Sequence, residues 1–115
     1  MSKFPQEVRD KVAHRSQLRC EGCGGEGPLQ LHHRQYRSRG GQDTVENALA
    51  LCGLGNASKC HGRAHTAEGE ALGWSVRSRF DPATIPVEHF LLGTVYLCED
   101  GTTTAESSDM PRRGR

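Results

Sequence analysis

Cys20-Glu21-Gly22-Cys23-Gly24-Gly25, then Leu31-His32-His33, Leu49-Ala50-Leu51-Cys52 and Cys60-His61-Gly62-Arg63-Ala64-His65, are the segments on which the fold turns. A Cys-x2-Cys followed by glycines lets the backbone turn tightly enough to aim two thiolates at one ion. Cys52, and Cys60 after the spacer 53–59, bring the set to four. Four thiolates close a tetrahedral structural zinc site, which contributes folding free energy outright. His61 or His65 is the alternative to Cys60 as fourth ligand. Cys98 stands apart after Val95-Tyr96-Leu97 and reads as a strand residue.

Composition makes such a staple necessary. Leu, Ile, Val and Phe fill only 20 of 115 positions, against 14 Gly and 5 Pro. A single domain so poor in large apolar side chains needs a disulfide or a metal to fold. The segment Met1-Ser2-Lys3-Phe4-Pro5 has no apolar stretch of a signal peptide, and the longest apolar run, Ala48 to Cys52, is far too short to span a bilayer. We therefore expect a cytoplasmic protein that does not engage a membrane. In that reducing compartment cysteine pairs serve as metal ligands more often than as disulfides.

Charge nearly cancels, at +1 overall, but unevenly. Residues 1–40 carry Lys3, Arg9, Lys11, Arg15, Arg19, Arg34, Arg37 and Arg39 against four acids, while 41–115 are net acidic. This asymmetry suggests a basic face on one side of the molecule, although an ordinary solvated surface has the same appearance.

The chain divides into an N-terminal helical extension (1–19), a zinc-stapled core (20–72), a C-terminal β extension (73–105) and a disordered tail (106–115). Pro5 to about Leu18 reads as a helix, with Val8 and Val12 on one face. Residues 28–33 alternate as a short strand, 36–44 form an irregular loop around Gly40-Gly41, and Leu49-Ala50-Leu51-Cys52 returns as a second strand. Cys60 to about Leu72 reads as one helix stopped by Gly73. Trp74-Ser75-Val76 reads as a further short strand. Asp100-Gly101 between β-prone runs predicts a C-terminal hairpin.

Histidines bring the chemistry. On a helix, His61 and His65 lie one turn apart on one face and can hold the same ion. His32 and His33 are neighbours on a strand and point to opposite faces, so one can meet that ion while the other faces whatever is bound beside it. Three imidazoles for a divalent cation and a fourth free as a base make a single-metal hydrolytic layout.

Cys20-x2-Cys23, Leu31-His32-His33-Arg34, Gly40-Gly41, Glu46-Asn47-Ala48-Leu49-Ala50-Leu51-Cys52 and Cys60-His61-x3-His65 together resemble the HNH endonuclease family. The match runs in order over residues 20–65; the C-terminal part is similar, more loosely, to small phage-encoded HNH nucleases. The resemblance implies a small α+β zinc-stapled domain, a ββα-metal (His-Me finger) core with an N-terminal helix and a C-terminal β-hairpin. It implies His33 as general base and Asn47 as the residue holding the loop that positions it. His32, His61 and His65 would bind a catalytic Mg²⁺, Mn²⁺, Ni²⁺ or Zn²⁺, and Cys20, Cys23, Cys52 and Cys60 the structural Zn²⁺. Arg34, Arg37 and Arg39 would contact DNA phosphates. The implied activity is DNA phosphodiester hydrolysis in a bacterial or phage-infected cell, leaving 5′-phosphate and 3′-hydroxyl ends. The motifs leave the oligomeric state open, a monomer included. The alternative is a zinc-stapled module that binds DNA without cutting it. Where many family members have Asp, this chain has His32, and the usual second Cys-x2-Cys is widened by 53–59.

Overall fold

A computed structural model describes residues 4–53 and 59–105. The tail expected to be disordered, and residues 54–58 of the spacer before Cys60, lie outside the described residues.

Helix α1 spans Gln6–Ser16, with Pro5 extended just ahead of it. It stops two residues short of Leu18 because Gln17 turns left-handed, at φ 56°. Val8 and Val12 bury its apolar face with Phe4, Val45, Ala48 and Ala50. Strands β1 (Leu29–His33) and β2 (Ala48–Cys52) pair antiparallel, from Leu29 opposite Cys52 to His33 opposite Ala48. That register sets the cysteine end at one end of the ribbon and the two histidines at the other. All five residues of β2 are buried. Ala48 and Ala50 face α1, while Leu49 and Leu51 enter a second cluster with Trp74, Val87, Val95 and Leu97. The strand's period of two therefore supplies both halves of the core.

The single helix expected over 60–72 is instead two, α2 (Lys59–Arg63) and α3 (Ala67–Ala71). Thr66 breaks it: its backbone is extended, and its hydroxyl oxygen accepts from the Gly69 amide while the hydroxyl donates to the Arg63 carbonyl. Thr66 is thus the N-cap of α3 rather than an interior residue of a longer helix. Gly69 lets α3 fold back closely, since a β-carbon there would collide with the Ala64 backbone.

Beyond α3 the expected strand at Trp74–Val76 is irregular. Its polar backbone groups are used singly instead of in a ladder: the Trp74 carbonyl by His32, the Val76 amide by the Arg34 carbonyl, the Val76 carbonyl by Arg39. The C-terminal hairpin is present as β4 (Gly93–Leu97) with β5 (Thr103–Thr104). β3 (Val87–His89), too short to read from periodicity, adds to its other edge in the order β3-β4-β5. Val87, Val95 and Leu97 share a core with Leu49 and Leu51, so residues 73–105 are packed into the same small α+β domain. No helix among the described residues is long and apolar enough to cross a membrane.

Candidate metal centres

Cys20, Cys23, Cys52 and Cys60 converge, their sulfurs all within 4.8 Å of one another, and none is in a disulfide. The Cys23 and Cys52 sulfurs lie 3.7 Å apart. Tetrahedral zinc with Zn–S near 2.3 Å requires sulfurs about 3.8 Å apart, so the cluster fits such an ion. Amides of Gly22, Cys23 and Cys52 donate to the Cys20 sulfur, the partners a thiolate wants. Burial, and then the neighbouring Cys20, push the Cys60 thiol up; a dication at the centre of the four sulfurs reverses that preference. The tight turn needs Gly22, whose missing β-carbon leaves room for the Trp74 ring.

One residue inside this turn departs from its surface-like appearance. Glu21 is buried, forked by Arg15 at 2.7 and 2.8 Å, and accepts from the Ala50 amide. His89 takes the Leu91 and Leu92 amides on Nδ1, so its Nε2–H donates to Glu21 at 2.8 Å. Burial alone would raise the Glu21 carboxyl, but the Arg15 charge and these hydrogen bonds hold it at about 2. This network joins α1, the cysteine turn, β2 and β3, and nothing in the local sequence pattern announces it.

At the other end of the ribbon, His32, His61 and His65 offer nitrogens within 4.8 Å of one another. Their ring centroids stand 5.1, 5.2 and 5.4 Å apart, nearly an equilateral triangle. His65 lies in the turn after α2 rather than within a helix, but the Ala64 amide still bonds the Cys60 carbonyl, so the spacing of one turn is kept. Each ring has one nitrogen engaged. His32 Nε2 donates to the Trp74 carbonyl at 2.7 Å, His61 Nδ1 donates to Gln30 Oε1 at 3.1 Å, and His65 Nδ1 meets the Tyr36 hydroxyl at 2.8 Å. One nitrogen is thereby left on each, the arrangement that fixes tautomers in metal-binding histidines. Burial, with the neighbouring imidazoles, pulls His32 down to about 3, and burial lowers His61 and His65 as well. All three are therefore neutral at pH 7, the form in which imidazole binds a cation. The set fits a divalent ion with three protein ligands and an open side at exposed His65.

His33 points away from this triad. It stacks on Phe4, with centroids 4.1 Å apart and planes at 19°, and its Nε2 lies 2.8 Å from Asp43 Oδ1. The loop that brings Asp43 there is pinned by buried Asn47. Asn47 Oδ1 accepts from the Gln35 amide, and its Nδ2 donates to the Gln35 and Gln42 carbonyls. Gly41 is required by close approach: a β-carbon would collide with the Gln35 carbonyl.

The three arginines read as phosphate contacts separate. Arg34 is fully buried and donates to the carbonyls of Gly73, Glu46, Pro82 and Ile85. It is a structural tie and cannot present its charge to DNA, which corrects the expectation. With Arg15 also buried, the N-terminal excess of positive charge overstates the basic surface. Arg37 is exposed and reaches both Asp43 oxygens at 3.1 and 3.2 Å. Arg39 is half-buried, lies 4.3 Å over the Tyr36 ring and donates to Val76.

Sequence reasoning missed Asp43, Gln30 and Tyr36. They lie 10, 31 and 29 positions from the histidines they contact, so no short spacing rule could single them out. Comparison with known families matches residues 20–67 to the family described as HNH endonuclease. Comparisons with curated proteins and with solved structures return no match.

Proposed function

Because residues 20–67 belong to the HNH endonuclease family, a family of nucleases that act on DNA, we propose that this protein is a metal-dependent endonuclease hydrolysing DNA phosphodiester bonds. The observation that carries the reading is the pairing of a three-histidine cluster with a fourth histidine held outside it. A binding module needs the cysteines, but has no use for that division. His32, His61 and His65 would hold the catalytic cation, which would supply Lewis-acid stabilisation of the negative charge that develops in the transition state. His33 takes a proton from water as the water oxygen bonds to phosphorus and the P–O3′ bond breaks. The 3′ oxygen then acquires a proton from solvent, leaving a 3′-hydroxyl and a 5′-phosphate. Arg37 and Arg39 contact neighbouring phosphates, which orients the backbone without reading sequence. Asn47 touches no substrate and acts as a positioning residue through the 35–42 loop. The four cysteines hold a structural zinc.

Plasmid incubated with the protein and Mg²⁺, Mn²⁺ or Ni²⁺, with an EDTA control, tests the reading. His33→Ala should keep its fold and metal yet lose about 10²–10⁴-fold in rate, with no recovery at any metal concentration. His65→Ala removes a ligand, so added metal should partly restore it. DNA binding without metal-dependent cleavage would reduce the protein to a binding module. If the two variants respond to metal alike, the division of roles is wrong.

A further inference from the structure

Among the described residues, one carboxylate touches the fourth histidine, and the endonuclease reading leaves it unused. Asp43 Oδ1 lies 2.8 Å from His33 Nε2. A carboxylate can only accept, so a neutral His33 in this contact carries its proton on Nε2 and leaves Nδ1 bare. Resting on the nuclease reading, we infer that Asp43 is the positioning residue of His33: it selects the tautomer and ring orientation that make Nδ1 the nitrogen receiving the proton of water.

Three features make this a built arrangement. Phe4, itself buried, stacks on the His33 ring and removes its freedom to tilt. Arg37 holds both Asp43 oxygens from the solvent side, so the carboxylate is not free to swing away. Asn47 ties Gln42, the residue before Asp43, through its carbonyl, and the Asn47 amide bonds the carbonyl of Thr44, the residue after it. Asn47 thus reaches His33 through Asp43, which gives its place in the loop a chemical purpose. The metal-facing rings follow the same logic with different partners: Trp74, Gln30 and Tyr36 each occupy one nitrogen of a ring. All four histidines are then set by a group outside the ligand set, and Asp43 is the one serving the base.

The test has two arms. Nitrogen-15 NMR of the protein as purified, at mildly alkaline pH, should report His33 as the Nε2–H tautomer, and Asp43→Ala should mix the tautomers. In plasmid cleavage Asp43→Ala should lower kcat about 10–100-fold with KM unchanged, the scale of outer-shell partners of histidine. Asp43→Asn keeps an oxygen for the Nε2 proton and should recover much of that loss. Melting and zinc content of each variant control for folding. A wild-type His33 found as the Nδ1–H tautomer overturns the inference, whether or not Asp43→Ala folds. So does an Asp43→Ala protein with normal kcat when His33→Ala is inactive, or one whose KM alone rises. A wild-type protein that never cleaves DNA sinks the nuclease reading instead, and leaves the tautomer measurement to decide the role of Asp43.

Discussion

Arg34 and Arg37 stand three positions apart in the same basic loop, yet do opposite things. Arg34 places its guanidinium among four backbone carbonyls drawn from segments far apart in sequence, around residues 46, 73 and 82–85. Its removal takes the partner from four carbonyls, that of Gly73 buried and those of Glu46, Pro82 and Ile85 partly buried, and such a group costs about 1–3 kcal/mol where water cannot reach it. Even with partial solvation, Arg34→Ala should lose about 3 kcal/mol or more of unfolding free energy, read by urea titration. Arg37 is exposed and its ion pair with Asp43 is screened by solvent, so Arg37→Ala should stay within about 0.5 kcal/mol of wild type. If Arg37 contacts a phosphate, its loss should instead lower the slope of DNA affinity against salt by about one. An Arg34→Ala protein as stable as wild type, with weakened DNA binding, would return Arg34 to the DNA surface.

At the scale of the element, the break between α2 and α3 shows how a single side chain can override periodicity. The apolar and small residues from Cys60 to Leu72 suit a continuous helix, but Thr66 offers its own oxygen to the Gly69 amide. That local bond competes with the helical ladder and ends α2 in a turn. The consequence reaches the histidine cluster, since His65 leaves the helix and meets the Tyr36 hydroxyl. Thr66→Ala removes the cap and should cost about 1 kcal/mol. Differential scanning calorimetry checks this, and an unchanged melting temperature would mean that packing of Gly69 against Ala64 holds α3 without its cap.

For the molecule as a whole, the proposed zinc sets a thin core against a metal staple. Domains of this size are stable by about 5–15 kcal/mol, whereas structural zinc in small domains supplies about 10–16 kcal/mol. Losing the zinc proposed for the four cysteines would therefore exceed what this core can absorb. Cys20 is the worst place to lose it, because three backbone amides also converge on its sulfur. Cys20→Ser or prolonged chelation should abolish the cooperative unfolding transition seen by circular dichroism. Cys98→Ser should be mild, since Cys98 contributes to the β4–β5 hairpin through its backbone and lies outside the cysteine cluster. Metal analysis should find about one tightly held zinc per chain. A well-folded, zinc-free Cys20→Ser protein would contradict the staple.

What could be read from the sequence was whatever rests on short spacings and on residue chemistry. Cys20-x2-Cys23 with its glycines, the alternation over Leu29–His33, the apolar run Ala48–Cys52 and the histidines at 61 and 65 each encode a local geometry. These are enough to anticipate a strand pair, a helix after it and two candidate metal clusters. Tertiary structure alone decided which charges are buried and which polar atoms meet across long sequence gaps. Glu21 and Arg34 look like surface residues in the sequence, yet both are buried, because partners 6 to 68 residues away satisfy them. Asp43 reaches His33 only because Asn47 folds the intervening loop back on itself. Local pattern reports where a side chain points along its own element, whereas pairing of a buried charge depends on how separate elements meet, and no short-range period records that.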